Sequence, residues 1–131
     1  MASIRREAHI DVRPETAWDA LRDVGALHTR LVPGFVTDTK LERGARIVTF
    51  GSGMVVRERI LDVDEKARRV AWSAVSDRMT HHNASAQVFP EGTGCRFVWI
   101  ADLLPDEAAP AIAAMIDQGM EVIQKTLEQA R

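Results

Sequence analysis

With 131 residues the chain is near the commonest domain size, reads as one domain spanning residues 1–131, and buries roughly two thirds of its unfolded surface without disulfides or metals. Seventeen Lys and Arg against 19 Asp and Glu leave a formal net charge of -2, which argues against the dense basic patch of a nucleic-acid-binding surface. Cys95 is the lone cysteine, the segment Met-Ala-Ser-Ile-Arg-Arg-Glu has no signal-peptide core, and no apolar run approaches the ~20 residues that span a bilayer, so a cytoplasmic protein is expected.

Ala8, Ile10 and Val12 alternate with His9 and Asp11 and predict a first strand with one apolar face. Pro14 stands at a first helical position and Glu15 in the first turn, opening a helix whose inner stripe is Ala17, Trp18 and Leu21. Gly25 breaks it. Ala26 to Leu31 predicts a second short helix, halted by Pro33-Gly34.

From Phe35 onward the period becomes two. Six strands are expected, over Phe35–Glu42, Ala45–Gly51, Met54–Asp64, Arg68–Ser76, Thr80–Phe89 and Cys95–Asp102. The links between them are short and rich in turn residues, among them Arg43-Gly44, Gly51-Ser52-Gly53 and Pro90-Glu91-Gly92-Thr93-Gly94. Short links require antiparallel neighbours, because parallel pairing needs a crossover of about a dozen residues or more.

The last quarter, Asp106–Gln129, predicts one long amphipathic helix. Ile112, Met115, Ile116, Gly119, Met120, Ile123 and Leu127 recur at the spacing that lines one helical face. Pro110 bends or delays its start while Asp106 caps the first turn; a break into two segments near Pro110 is the alternative. The stripe needs a partner, and the concave side of a curved antiparallel sheet is the natural one. Gly119, Met115 and Met120 leave that face thin and deformable, so the expected result is a container.

The segments Ile10-Asp-Val-Arg-Pro-Glu-Thr-Ala-Trp18 with Asp23, Gly53-Met-Val-Val-Arg-Glu-Arg-Ile60 with Asp64 and Arg69, and Phe97-Val-Trp99 leading into Leu104-Pro105 recur in one known pattern, completed by the terminal helix. In this order of elements the chain resembles the START-like (SRPBCC) superfamily, in its small polyketide cyclase/dehydrase-like branch. The resemblance implies an α+β helix-grip fold, β-α-α-β-β-β-β-β-β-α, with a seven-stranded curved antiparallel sheet around the C-terminal helix. It says little about activity, since enzymes, lipid carriers and ligand sensors share the scaffold. Where relatives often carry a cavity tyrosine in the fifth strand, this chain has Trp72, which keeps bulk and lacks a hydroxyl.

Strand parity nominates the polar groups of the interior. Met54, Val56 and Ile60 share a face with Glu58, and Ala84, Ala86 and Val88 share one with His82. An inward carboxylate and imidazole form a candidate general acid/base pair or a pair that orients a ligand. Alternatively, Glu58 pairs with an arginine such as Arg46 or Arg57 and His82 is a satisfied wall residue; a slip of one residue brings in His81 or Asn83 instead. The ligand-binding wall is expected from Trp18, Phe35, Phe50, Val56, Trp72, Ala84, Phe97 and Trp99, with Ile112, Met115, Ile116, Gly119 and Met120 from the helix. His9, His28, His81 and His82 lack metal-ligand spacing, Cys95 has no adjacent base, and the glycine pairs are hairpin turns, so no metal or other cofactor is expected.

The leading functional expectation is binding of an apolar or amphipathic small molecule, lipid or polyketide-like, between sheet and terminal helix. The resemblance implies a second, a polyketide cyclase, aromatase or dehydratase using Glu58 or His82 as base. The third is an accessory or regulatory module whose helix and adjoining loops contact another protein; Glu107, Asp117, Glu121, Lys125 and Glu128 form a solvated face, which favours the pocket mouth over the helix exterior. A monomer or a homodimer fits each of them.

Overall fold

A computed structural model describes residues 1–130 and, at Val75, the backbone alone. Strand β1 (Ala2–Ile10) leads into helix α1 (Pro14–Arg22) and a π-helical turn (Leu27–Leu31). Six strands follow: β2 (Val36–Glu42), β3 (Ala45–Phe50), β4 (Val55–Asp64), β5 (Arg69–Val75), β6 (His81–Glu91) and β7 (Gly94–Leu104). A 3-10 turn (Asp106–Ala108) then enters helix α2 (Ala109–Gln129). The described strands form one seven-stranded sheet in the order β1-β7-β6-β5-β4-β3-β2, antiparallel throughout. Consecutive hairpins from β2 to β7 build a meander, and β1 closes onto its last strand.

This topology makes the container. β1 and β2 are the two edges of the sheet, so the α1 and π-turn connection between them must cross one end of the curved surface. Extra residues at Val36/Asp38 in β2 and Ile60/Asp62 in β4 interrupt the ladder, and such bulges bend a strand and increase its twist. Helix α2 lies over the hollow with Ile116, Gly119, Met120, Ile123 and Leu127 buried. Its stripe meets the inward residues of the sheet, including Ile10, Val48, Val88, Phe97 and Leu103, in one apolar core.

Strand boundaries match the expected ones to within two residues from Val36 onward, α2 starts three residues later than expected, after the 3-10 turn, and three further details differ. β1 begins at Ala2 and ends at Ile10, so Val12 is buried beyond the strand rather than within it. The period was hidden because Arg6 occupies an apolar phase; its Nε donates to Asp117 Oδ1 of α2 at 2.7 Å. Pro90 lies within β6, opposite Cys95, and is tolerated because the ladder of β5 to β6 runs only from Arg69↔Gln87 to Ser73↔Asn83. Finally, Pro110 falls in the first turn of α2, where no internal hydrogen bond is lost, and Asp106 provides no side-chain cap.

The outward face of α2 is less free than its composition implies. Besides Asp117, Glu128 Oε2 accepts from the Asp11 N–H at 3.0 Å and Gln124 Nε2 donates to the His9 carbonyl at 3.4 Å. These exposed contacts clamp the helix to edge strand β1 along its length.

Candidate functional site

Between sheet and helix lie two connected chambers. The larger, about 290 Å³, is walled by Met54, Val56 and Glu58 of the β3–β4 region, Trp72 and Ala74 of β5, His82 of β6 and Trp99 of β7, and is roofed by Ala108, Ala111, Ile112, Met115 and Ile116. The smaller, about 60 Å³, lies deeper among Leu21, Leu27, Leu31, Val48, Phe97 and Ile123. Phe35, Phe50, Glu58, Trp72 and Trp99 border both and so form the partition between them. Phe35 and Phe50 meet edge to face with centroids 5.6 Å apart, and Trp72 and Trp99 tilt together at 6.2 Å.

Gly119 sets the position of Trp99. A Cβ at that point would stand 2.8 Å from Trp99 Cζ3 and 3.4 Å from Phe35 Cε2, so only a bare helix backbone lets the indole lie flat beneath α2. The gap in the apolar stripe is filled by the partition itself.

Register places the polar groups in one row. Glu58 of β4 is paired with Arg46 of β3 on one side and Ala74 of β5 on the other. Arg46 Nε donates to Glu58 Oε1 at 2.8 Å, the first of the two arginine partners the sequence allows. The guanidinium is 3% exposed and Glu58 8% exposed; Arg46 Nη1 also donates to the Val24 carbonyl at 3.3 Å, and its Cζ stands 5.3 Å over the Trp72 ring. Ion pair, carbonyl and ring together satisfy a charge that cannot be neutralised by losing its proton.

His82 is half-buried on the cavity face of β6, as parity predicts, and its Nδ1 is a buried atom without a hydrogen-bond partner among the described residues. Burial holds the imidazole below its ordinary pKa, with the Glu58 charge acting in the opposite direction. The ring is therefore neutral near pH 7, with one nitrogen able to donate and the other to accept. A buried ring nitrogen without a hydrogen-bond partner costs stability.

The remaining expected wall residues divide cleanly. Phe35, Phe50, Val56, Trp72, Trp99, Ile112, Met115 and Ile116 line the larger chamber together with Glu58 and His82, and Phe97 lines the inner one. Four do not reach either. Trp18 is buried under α1, where its Nε1 donates to Glu65 Oε2 at 2.8 Å and pins that helix to the β4–β5 turn. Ala84 lies beneath Trp72 in the sheet, and Gly119 and Met120 are packed into the helix contact.

The sequence names Arg46 only as one of two possible partners of Glu58, although its parity with Val48 and Phe50 signals an inward charge opposite Glu58. It misses Arg78 and Met79, which come from a turn where no period operates. Cys95 is fully buried, and desolvation, with the Glu91 charge second, pushes its thiol up to about 11. No group of His, Cys, Asp and Glu among the described residues is arranged to hold a metal ion. Among the described residues, no helix is long and apolar enough to cross a membrane.

Comparison with known proteins agrees with this architecture. XoxI of Bacillus cereus superposes with a TM-score of 0.86 at 19% identity, covering 97% of this chain and 96% of that one. A norcoclaurine synthase mutant of Thalictrum flavum, solved with a transition state analogue, superposes at 0.76 with 18% identity over 98% and 95% of the two chains. A START superfamily protein of Mycobacterium smegmatis does so at 0.72 with 11% identity over 98% and 95%. At these identities the likeness is one of fold. A search of curated proteins by sequence finds no match. The family model described as polyketide cyclase / dehydrase and lipid transport matches residues 1–128, and the chain belongs to that family, on the START-like helix-grip fold.

Proposed function

We propose that the protein binds one amphipathic small molecule in the larger chamber, apolar body under α2 and polar end near His82. The observation that carries this reading is an apolar cavity of about 290 Å³ with the His82 imidazole in its lining. A cavity of roughly 150 Å³ accepts a benzene ring, so this one suits a body of about two rings. A two-ring body buries roughly 200 Å² and gains at most about 5 kcal/mol from apolar transfer. Apolar burial alone therefore gives sub-millimolar affinity, and polar contacts must raise it further.

Native mass spectrometry of freshly purified protein tests the reading, with the two-ring fluorophore 2-naphthol as a probe if nothing co-purifies. One molecule per chain is expected, with uptake lost in Ala74→Phe, which projects a ring into the chamber. Probe uptake that Ala74→Phe leaves intact, in a variant with unchanged circular dichroism, would place the binding elsewhere and reject the reading.

Acid–base catalysis on a carbonyl-bearing substrate, polyketide-like, is the second reading, and one observation favours it. His82 is neutral, in the chamber and unpaired, which suits a general base, whereas Glu58 is occupied by Arg46. His82→Gln should then abolish turnover of a poly-β-carbonyl substrate while probe binding persists. Equal turnover in the two proteins would eliminate His82 from that role.

A further inference from the structure

The charges bordering the larger chamber do not cancel. Glu58, Arg78 and His82 are the ionisable residues of its lining. The Glu58 carboxylate is already matched by Arg46, and the imidazole is neutral. Arg78, exposed at the rim, has no ion-pair partner among the described residues, and its neighbour Asp77 lines an outer groove instead of the chamber. Arg78 borders that groove as well, and among the charged residues of the chamber lining itself it is the one without an ion-pair partner among the described residues; its planar fork suits a carboxylate. Deeper in, the ring nitrogen that His82 presents to the chamber selects a second group. A hydroxyl both donates and accepts, so it satisfies that nitrogen in either tautomer, whereas a carbonyl satisfies only one.

Resting on the binding reading above, we infer that the natural ligand is a hydroxylated, roughly two-ring or equally bulky carboxylic acid, its carboxylate at Arg78 and its hydroxyl on the His82 ring. The apolar body between them contacts Trp72, Trp99, Ile112 and Met115. A plain hydrocarbon leaves both polar groups unmatched, and a sterol, with a hydroxyl but no carboxylate, leaves Arg78 unmatched.

Two matched pairs of naphthalenes separate the contributions by isothermal titration. 2-Naphthoate should bind about fivefold more tightly than neutral 2-naphthamide at low salt, the size of a rim ion pair, and the ratio should shrink as salt rises. 2-Naphthol should bind about tenfold more tightly than 2-methoxynaphthalene, the worth of one buried hydrogen bond. Arg78→Gln should bring the first ratio close to one, and His82→Phe the second. If naphthol binds but the acid gains nothing over the amide, or if the ratios survive their respective substitutions, the assignment of ligand class is overturned and the cavity reading stands. If none of the four compounds binds, the cavity reading falls with it.

Discussion

The buried pair of Arg46 and Glu58 offers the sharpest quantitative test of this structure. Glu58→Ala leaves a guanidinium, 3% exposed, with only the Val24 carbonyl at 3.3 Å and the Trp72 face at 5.3 Å. Arginine stays charged in proteins, so the molecule cannot escape by deprotonation. Breaking a buried pair from one side costs about 3–5 kcal/mol, since the partner's desolvation is no longer offset. With an unfolding entropy of about 2.1 cal/mol/K per residue, a chain of 131 residues loses roughly 4 °C of Tm per kcal/mol. Glu58→Ala should therefore lower Tm by about 11–18 °C by circular dichroism. The double change Arg46→Met with Glu58→Leu removes both charges and should recover most of the loss, to within roughly 1 kcal/mol of the parent. If Glu58→Ala costs under about 1 kcal/mol, or the double variant is less stable than the single one, the pair is not the desolvated lock described above.

Three further outcomes follow from the geometry. Gly119→Ala places a Cβ 2.8 Å from Trp99, whose ring can yield only into the open chamber; improved helix propensity of up to about 1 kcal/mol offsets the strain, so probe affinity should fall several-fold with little change in stability, and unchanged affinity would refute the role of Gly119. His82 is held below its ordinary pKa by burial, so as pH falls through that ordinary value the unfolded chain takes up a proton first. Its contribution to stability is present above that value and is lost down to the lowered folded one, so the stability of the parent relative to His82→Phe should fall as pH drops; parallel curves from urea titrations would contradict this. Cys95, its thiol pushed up to about 11 by burial, should resist iodoacetamide at pH 8 in the native protein and react once unfolded, and rapid native labelling would show the strand end to be open.

Much of the fold is legible because each element carries its own period. Alternation over residues 36–104 and the 3.6-residue stripe of α2 report burial directly, and every strand from β2 onward lies within two residues of its expected bounds. Legibility fails where a polar group occupies an apolar phase for tertiary reasons. Arg6 breaks the pattern of β1 because its partner, Asp117, is 111 positions away on α2. Trp18 reads as cavity wall because an amphipathic stripe reports burial without naming the neighbour, and the neighbour is Glu65 in the β4–β5 turn.

The candidate site divides along the same line. Parity alone put Glu58 and His82 on the inner face, because side chains alternate across a strand whatever the strand pairs with. Cross-strand register decided that Glu58 meets Arg46, leaving His82 as the unpaired group. Only three-dimensional packing placed the Arg78 turn at the rim and left about 290 Å³ unfilled under α2. Local periodicity is a property of consecutive residues and is written in the sequence; a void, and the charges around it, depend on distances between segments far apart in the chain.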